Sequence, residues 1–276
     1  MSSTPIESLV EISRKVKDEL ALRTYPLGIK FCKGAECEKE FERVKARRPL
    51  KNFNARMPVC QLINISRTYG WVTAMSLEDA FCIAGARVIG LIDEIPEYLI
   101  EDIIRFHAKD REAGMAILKS VEAKSMPPGS VSGILISPLT RISFEPDVIV
   151  VYGTPTQIAK IAKAFTWHGI LPETEFSGAA ACANITKAYL TGKPQINIPC
   201  SGEVLLGRTE EDEISIAFSA KLAEHVISGL EGTRFIMPYP PPKYALYEPR
   251  VPSVYRMSYK DYEEWKKRKV SETRET

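Results

Sequence analysis

Gln61-Leu-Ile-Asn-Ile-Ser-Arg-Thr-Tyr-Gly-Trp71 aligns without a gap on Gln157-Ile-Ala-Lys-Ile-Ala-Lys-Ala-Phe-Thr-Trp167, ninety-six residues further along the chain. The glutamine, the central isoleucine and the tryptophan are identical. Each stretch is followed by a loop and a cysteine among small residues, Phe81-Cys82-Ile-Ala-Gly-Ala and Ala180-Ala181-Cys182-Ala-Asn. The match predicts a single compact body made of two related half-domains, approximately residues 23–125 and 130–235. It also predicts that Cys82 and Cys182 meet at the seam between them.

Around these stretches, β-branched runs alternate with helical patterns. Leu27–Cys32, Gly133–Ser137, Val148–Tyr152, Gln195–Pro199 and Glu213–Phe218 read as strands bounded by Gly and Pro. Gln61–Tyr69 reads as a helix stopped by Gly70, and Thr156–Trp167 as its counterpart. Ser76-Leu-Glu-Asp79 has capping-box spacing and predicts a helix through Ile83–Leu91 with Cys82 near its start. Residues 97–124 read as one long helical stretch, Cys182–Leu190 as a helix ending at Gly192, and Ala220–Leu230 as another. Residues 33–57 are charged and irregular and read as a loop or short helix. This order of elements predicts an α+β (mixed α/β) fold in a body spanning residues 1–237.

At the N-terminus, apolar residues at Ile6, Leu9, Val10, Ile12, Val16 and Leu20 are spaced for an amphipathic helix, with Ser3 or Thr4 as cap and Pro5 in its first turn. From Met237 the composition changes. Six of eleven tyrosines fall after that point, beside Pro238-Tyr-Pro-Pro-Pro242. Residues 238–276 are read as an extended C-terminal arm and tail, with 238–262 packed on the body or on a second copy in a homodimer and the last dozen residues loose. Disordered tails are ordinarily poor in aromatics.

Charge excludes some functions. Lys and Arg number 37 against 35 Asp and Glu, a net charge of +2. Such a balance points to neither a nucleic-acid partner nor an acidic membrane, and the run Lys266–Lys269 reads as a solvated tail. No apolar run approaches the roughly 20 residues that span a bilayer. With no secretory signal, the expected location is cytoplasmic, where thiols stay reduced. The scarcity of Gln (3) and Asn (5) beside abundant Lys, Arg and Glu resembles heat-adapted proteins.

Four of the six cysteines sit at turns of small residues: Cys60 after Pro58-Val59, Cys82 before Ala84-Gly85, Cys182 after Gly178-Ala-Ala-Ala181, and Cys200 between Pro199 and Ser201-Gly202. Four thiolates suit an iron–sulfur cluster or zinc, and helix starts and glycine turns supply the N–H groups that cluster sulfurs accept. A chain this long folds without a zinc staple, which favours a 4Fe-4S cluster. The competing readings are buried inert thiols, or a reactive thiol at Cys82 or Cys182 in a cluster-free enzyme or small-molecule binder. No histidine (His107, His168, His225) falls in a motif that would supply its base. Cys32 and Cys37 read as a strand residue and an exposed loop thiol. Arg67 and Lys163, at matching positions of the repeat, are candidates for an anion site, and Glu210–Glu213 for an acidic turn. Dinucleotide, phosphate-loop and nucleophile-elbow motifs are missing.

Tyr25-Pro-Leu-Gly-Ile-Lys-Phe31, Val59-Cys-Gln61 leading to Arg67-Thr-Tyr-Gly-Trp71, Phe81-Cys82 before Gly85-Ala86, Phe176-Ser-Gly178 before Cys182, and Pro199-Cys-Ser-Gly202 before Asp212-Glu213 together resemble domain-of-unknown-function family 169 over roughly residues 8–235. The resemblance implies a full-length single-domain protein of a kind typical of anaerobic bacteria and archaea. That setting suits oxygen-sensitive clusters and a role in electron transfer, or as a redox accessory to a partner protein.

Overall fold

The computed structural model describes residues 5–175, 182–234, 239 and 259–272. Seven strands form one mixed sheet among the described residues: β1 (Leu27–Cys32), β2 (Thr73–Ser76), β3 (Gly133–Pro138), β4 (Val148–Gly153), β5 (Glu173–Glu175), β6 (Gln195–Asn197) and β7 (Ile214–Ser219). The helices are α1 (Ile6–Leu20), α2 (Glu36–Arg43), α3 (Pro49–Phe53), α4 (Val59–Tyr69), α5 (Ile83–Ile89), α6 (Glu97–His107), α7 (Arg111–Glu122), α8 (Pro155–Trp167), α9 (Cys182–Thr191), α10 (Ser201–Leu205), α11 (Ala223–Gly232) and α12 (Tyr259–Glu272). The fold is α+β, as the element order predicts. Residues 1–232 form one compact unit and residues 233–276 another.

Strand order is β2-β3-β1-β4-β7-β6-β5, antiparallel throughout except for β5 on β6. β1 and β4 sit side by side at the centre, each flanked on its outer side by six-pair ladders, β1 with β3 and β4 with β7. Leu139 N–H bonds to Pro26 O where β3 leaves β1, and Ala220 N–H bonds to Asp147 O where β7 leaves β4. The two sides therefore correspond as β1 to β4, β3 to β7 and β2 to β6.

Alternation along the strands sends side chains to two covered faces. Leu27, Ile29 and Phe31 of β1 and Val148, Val150 and Tyr152 of β4 join a core with Val59, Leu62 and Ile63 of α4, Ala86 and Ile89 of α5, and Ile185 and Ala188 of α9. Ile149 and Val151 of β4 and Phe218 of β7 face the other way, toward Ile12 and Val16 of α1, Ile161 of α8 and Val226 of α11. Fully burying each such side chain contributes about 1.5–3 kcal/mol.

The two stretches matched at ninety-six residues thus cover opposite faces of the sheet and are not equivalent positions. Their identical residues also do different things. Gln157 closes a capping box with Thr154 at the start of α8 and donates to Leu20 O at 2.8 Å. Gln61 lies in a helix entered from Pro58 without a side-chain cap. Trp71 lies beyond the helix end under the Arg47 guanidinium, 3.6 Å from its ring, whereas Trp167 is the last helical residue and half exposed. In the sheet, the counterpart of α4 is α9. α4 rests on β1, β2 and β3, and α9 on β4, β6 and β7. In both, a cysteine in the first turn is followed ten residues later by a glycine with positive φ, Gly70 or Gly192, and thirteen residues later by the first residue of the edgeward strand, Thr73 or Gln195.

Smaller departures have local causes. Pro5 takes the cap position of α1 itself, and Ser3 and Thr4 lie outside the described residues. The stretch 97–124 is split because Asp110 caps a new helix, its side chain accepting from Ala113 N–H at 2.8 Å. The capping box at Ser76 and Asp79 closes a single 3-10 turn, and Cys82 starts the helix. The turn expected at Cys200 is the start of α10. Most of the arm at 238–262 lies outside the described residues. The terminal α12, reaching Glu272, replaces the loose tail expected after residue 264, and carries the exposed Lys266, Lys267 and Arg268.

A candidate four-thiol site

Cys60 is the second residue of α4, Cys82 the N-cap of α5, Cys182 the first residue of α9 and Cys200 the N-cap of α10. All four thus occupy helix starts, where the unpaired N–H groups favour negative charge on sulfur. One such contact is explicit: Gly85 N–H donates to Cys82 Sγ at 3.3 Å.

The four come from distant parts of the chain but converge. α10 packs on α4, and α5 on α9. Cys60 Sγ donates to Gly202 O at 3.4 Å. A Cβ placed on Gly85 would lie 3.5 Å from Cys82 Sγ and 3.9 Å from Cys182 Sγ, so both sulfurs adjoin this glycine. A Cβ on Gly202 would lie 3.7 Å from Cys200 Sγ, and one on Gly207 would come within 3.2 Å of Cys60 Cβ. Gly85 and Gly202 thus place no side chain against the Cys82, Cys182 and Cys200 sulfurs.

Burial and repulsion from neighbouring groups hold the Cys60 and Cys182 thiols protonated. The Cys60 thiol is pushed up to about 12, first by burial and then by Glu203, Cys200 and Cys82. The Cys182 thiol is raised well above its ordinary value by burial, then by Cys82, Cys200, Cys60 and Glu203. Removing these protons requires a cation to take their place. Among the described residues, no three His, Cys, Asp or Glu side chains are gathered tightly enough to chelate one metal ion. A single tetrahedral zinc needs its sulfurs about 3.8 Å apart, since Zn–S bonds are ~2.3 Å. An iron–sulfur cubane spreads its four thiolates farther.

Behind the thiols lies a buried polar chain that no motif in the sequence flags. Tyr152 OH donates to Glu203 Oε1, and Glu203 Oε2 is buried without a partner among the described residues. Burial pushes the Glu203 carboxyl up to about 7, against the opposing Tyr152 hydroxyl, Cys200 N–H and Arg67 charge. Arg67 sits 4.4 Å from the Tyr152 ring centroid and bonds to Glu213 at 2.8 and 2.9 Å, with both side chains only 3% exposed. Arg67 therefore has no anion site with Lys163, whose helix covers the other face of the sheet. The acidic turn is divided between two structural pairs, Glu213 with Arg67 and Asp212 with Arg23 at 2.7 Å. His168 and His225 pack on each other at 4.9 Å, on the α8–α11 side. The only advance signal for Glu203 was its place one turn after Cys200.

A family profile described as uncharacterised ArCR, domain of unknown function 169, matches residues 15–229. No curated protein and no solved structure matches the chain. No helix among the described residues is long and apolar enough to cross a membrane.

Proposed function

Since the chain belongs to domain-of-unknown-function family 169, whose description assigns no activity, we propose from the site itself that Cys60, Cys82, Cys182 and Cys200 hold a 4Fe-4S cluster. The observation that carries this reading is the convergence of four thiols from four segments at four helix starts, with glycines between them. A cluster of this type supplies one-electron transfer. The protein's own contributions are distinct. The thiols bind, the helix starts and Gly85 N–H favour negative charge on sulfur, and the packed face behind Tyr152 and Glu203 keeps water away.

On this reading the protein is a cytoplasmic electron-transfer or redox-accessory protein. Exposed Phe81, Val204 and Leu205 beside Cys82 and Cys200 support contact with a redox partner protein. Electron-transfer encounters use small interfaces, below ~1,200 Å². The rival reading, a reactive thiol in a cluster-free enzyme, fits Cys182 poorly because burial opposes its thiolate. Homodimerisation through residues 238–262 is a separate proposal, tested by the solution mass of a chain lacking 238–276.

Anaerobic expression followed by iron and acid-labile sulfide analysis tests the cluster. About four irons and four sulfides per chain are expected. A colourless, iron-free protein prepared without oxygen overturns the proposal.

A further inference from the structure

A second thiol centre lies on the other face of the sheet. β1 ends at Cys32, whose side chain points opposite to that of Phe31 in the core with α4 and α9. The chain then reverses through Gly34, which takes φ +65° and donates its N–H to Ser132 Oγ at 2.9 Å. Glycine adopts this conformation without the strain of a side chain. The reversal starts α2 at Glu36 and folds Cys37 back onto the end of β1.

Across the ladder from Cys32 stands Gly133 of β3. A Cβ there would lie 2.8 Å from Cys37 Sγ, 2.6 Å from the Phe41 ring and 2.8 Å from Met75 O. The Cys37 sulfur thus fills the space that a side chain at 133 would take beside Cys32. Cys37 is a buried residue of α2, not an exposed loop thiol.

Both cysteines line a cavity of ≈ 420 Å³ whose other walls include Lys30, Lys33, Lys39 and Arg43 against Glu36 and Glu40. That volume suits a small molecule. Lys39 pairs with Glu36 at 2.9 Å, and Lys30 and Arg43 share Glu40 at 3.5 and 2.7 Å. The lining keeps an excess of positive charge, with Lys33 beside Cys32, which suits an anionic molecule. The neighbouring Cys37 thiol and the charge of Lys30 hold the Cys32 thiol below its ordinary value, while Cys37 is raised. In such a pair, one sulfur attacks and the other resolves.

We propose that Cys32 and Cys37 form a redox-active dithiol that reduces small anionic disulfides bound in this cavity. Cys32 thiolate attacks one sulfur of the disulfide, forming a mixed disulfide and expelling the other half as a thiolate. Cys37 then attacks the Cys32 sulfur and expels the second half. The Cys32–Cys37 bond forms, the substrate S–S bond breaks, and two electrons pass from protein to substrate. The two thiol protons end on the two released thiols.

The test uses the full, reduced chain and glutathione disulfide, read by alkylation and peptide mass spectrometry. The expected product is a Cys32–Cys37 linked peptide, with the Cys37→Ser variant trapping a glutathione adduct on Cys32. Adducts spread evenly over the six cysteines, or both thiols left free in excess disulfide, overturn the proposal. Should Cys37→Ser fail to fold, the linked peptide of the unmutated chain decides the matter alone. Glutathione disulfide should react about three- to tenfold faster than uncharged hydroxyethyl disulfide at low salt, with the advantage lost at high salt. Equal rates at low salt overturn the assignment to anionic disulfides.

Discussion

The two thiol groups of this chain lie on opposite faces of one sheet and are built in opposite ways. Cys60, Cys82, Cys182 and Cys200 are gathered by tertiary folding from four helix starts. Cys32 and Cys37 are joined by a single reversal of the chain at Gly34. Burial holds the protons on Cys60 and Cys182. The neighbouring Cys37 thiol and Lys30 ease the proton off Cys32. Fixed convergence with protonated thiols suits a bound group that brings its own positive charge. A local pair with one favoured thiolate suits exchange chemistry.

The largest effect that can break this contrast is loss of iron. Cys60→Ser and Cys182→Ser are each expected to reduce iron from about four per chain to near zero under anaerobic preparation. The Cys32→Ser, Cys37→Ser double variant should keep it. Equal loss in both would erase the distinction between the sites.

Next in size is the buried pair behind the four thiols. Arg67→Ala leaves Glu213 without its cation and should destabilise the fold by about 3–5 kcal/mol in denaturant titrations. Replacing both residues, Arg67→Met with Glu213→Leu, should recover most of that loss. Alkylation of Cys32 in the folded double variant should not change.

On the other face, Gly133→Ala forces a methyl group toward Phe41, Cys37 Sγ and the Met75 carbonyl. A loss of about 1–3 kcal/mol is expected, together with slower formation of the Cys32–Cys37 disulfide. Iron content should stay the same. In the unmutated chain, the iodoacetamide reactivity of Cys32 should rise with pH through a midpoint below the usual thiol value of ~8.5. Cys37→Ala removes the neighbouring thiol and should move that midpoint upward.

The smallest effect lies at the sheet edge, where Glu173 of β5 meets Lys187 and Lys193 at 2.7 and 3.0 Å. Bonds to these two lysines lower its carboxyl to about 2. A depressed acid contributes stability above its unfolded value of ~4.3, and that contribution is lost as pH falls toward the folded value. Solvent screening limits the term to below about 1 kcal/mol. Glu173→Gln should therefore lower neutral stability by less than about 1 kcal/mol, leave stability at about pH 2 unchanged, and so flatten the acid side of the stability–pH curve between about pH 4 and 2.

Much of the fold could be read from the sequence because β3, β4 and β7 carry Val or Ile between turn residues, and β1 alternates Leu27, Ile29 and Phe31 with other residues. β2 and β5 escape that reading because Thr-Ala-Met-Ser and Glu-Thr-Glu hold no Val, Ile or aromatic residue, whereas the equally short β6 carries Ile196 between polar neighbours. The match of α4 with α8 misled for a physical reason. Helices lying on a sheet share an apolar spacing whichever face they cover, so two of them can look alike without being equivalent. The more telling signal was the identical run from cysteine to glycine to strand, Cys60–Gly70–Thr73 and Cys182–Gly192–Gln195. It makes Cys182 the positional counterpart of Cys60, while Cys82 is the thiol that Cys182 adjoins at Gly85. The four candidate ligands were legible as cysteines at turns. Tyr152, hidden in the apolar run of β4, was not, because its importance arises only where Glu203 meets it. Cys37 was concealed by the charges around it, which form the outer side of an amphipathic helix.

The central ladder of the sheet has one more consequence. β1 and β4 share only three residue pairs, Leu27 with Val150, Gly28 with Ile149 and Ile29 with Val148, between six-pair ladders on either side. Cys60 and Cys82 belong to the chain before this junction, Cys182 and Cys200 to the chain after it. Anything bound by all four thiols is therefore a rivet across a lightly stitched line at the centre of the sheet. Pulling the two ends of the body apart, or following amide exchange along β1 and β4, would feel that rivet before any assay of electron transfer did.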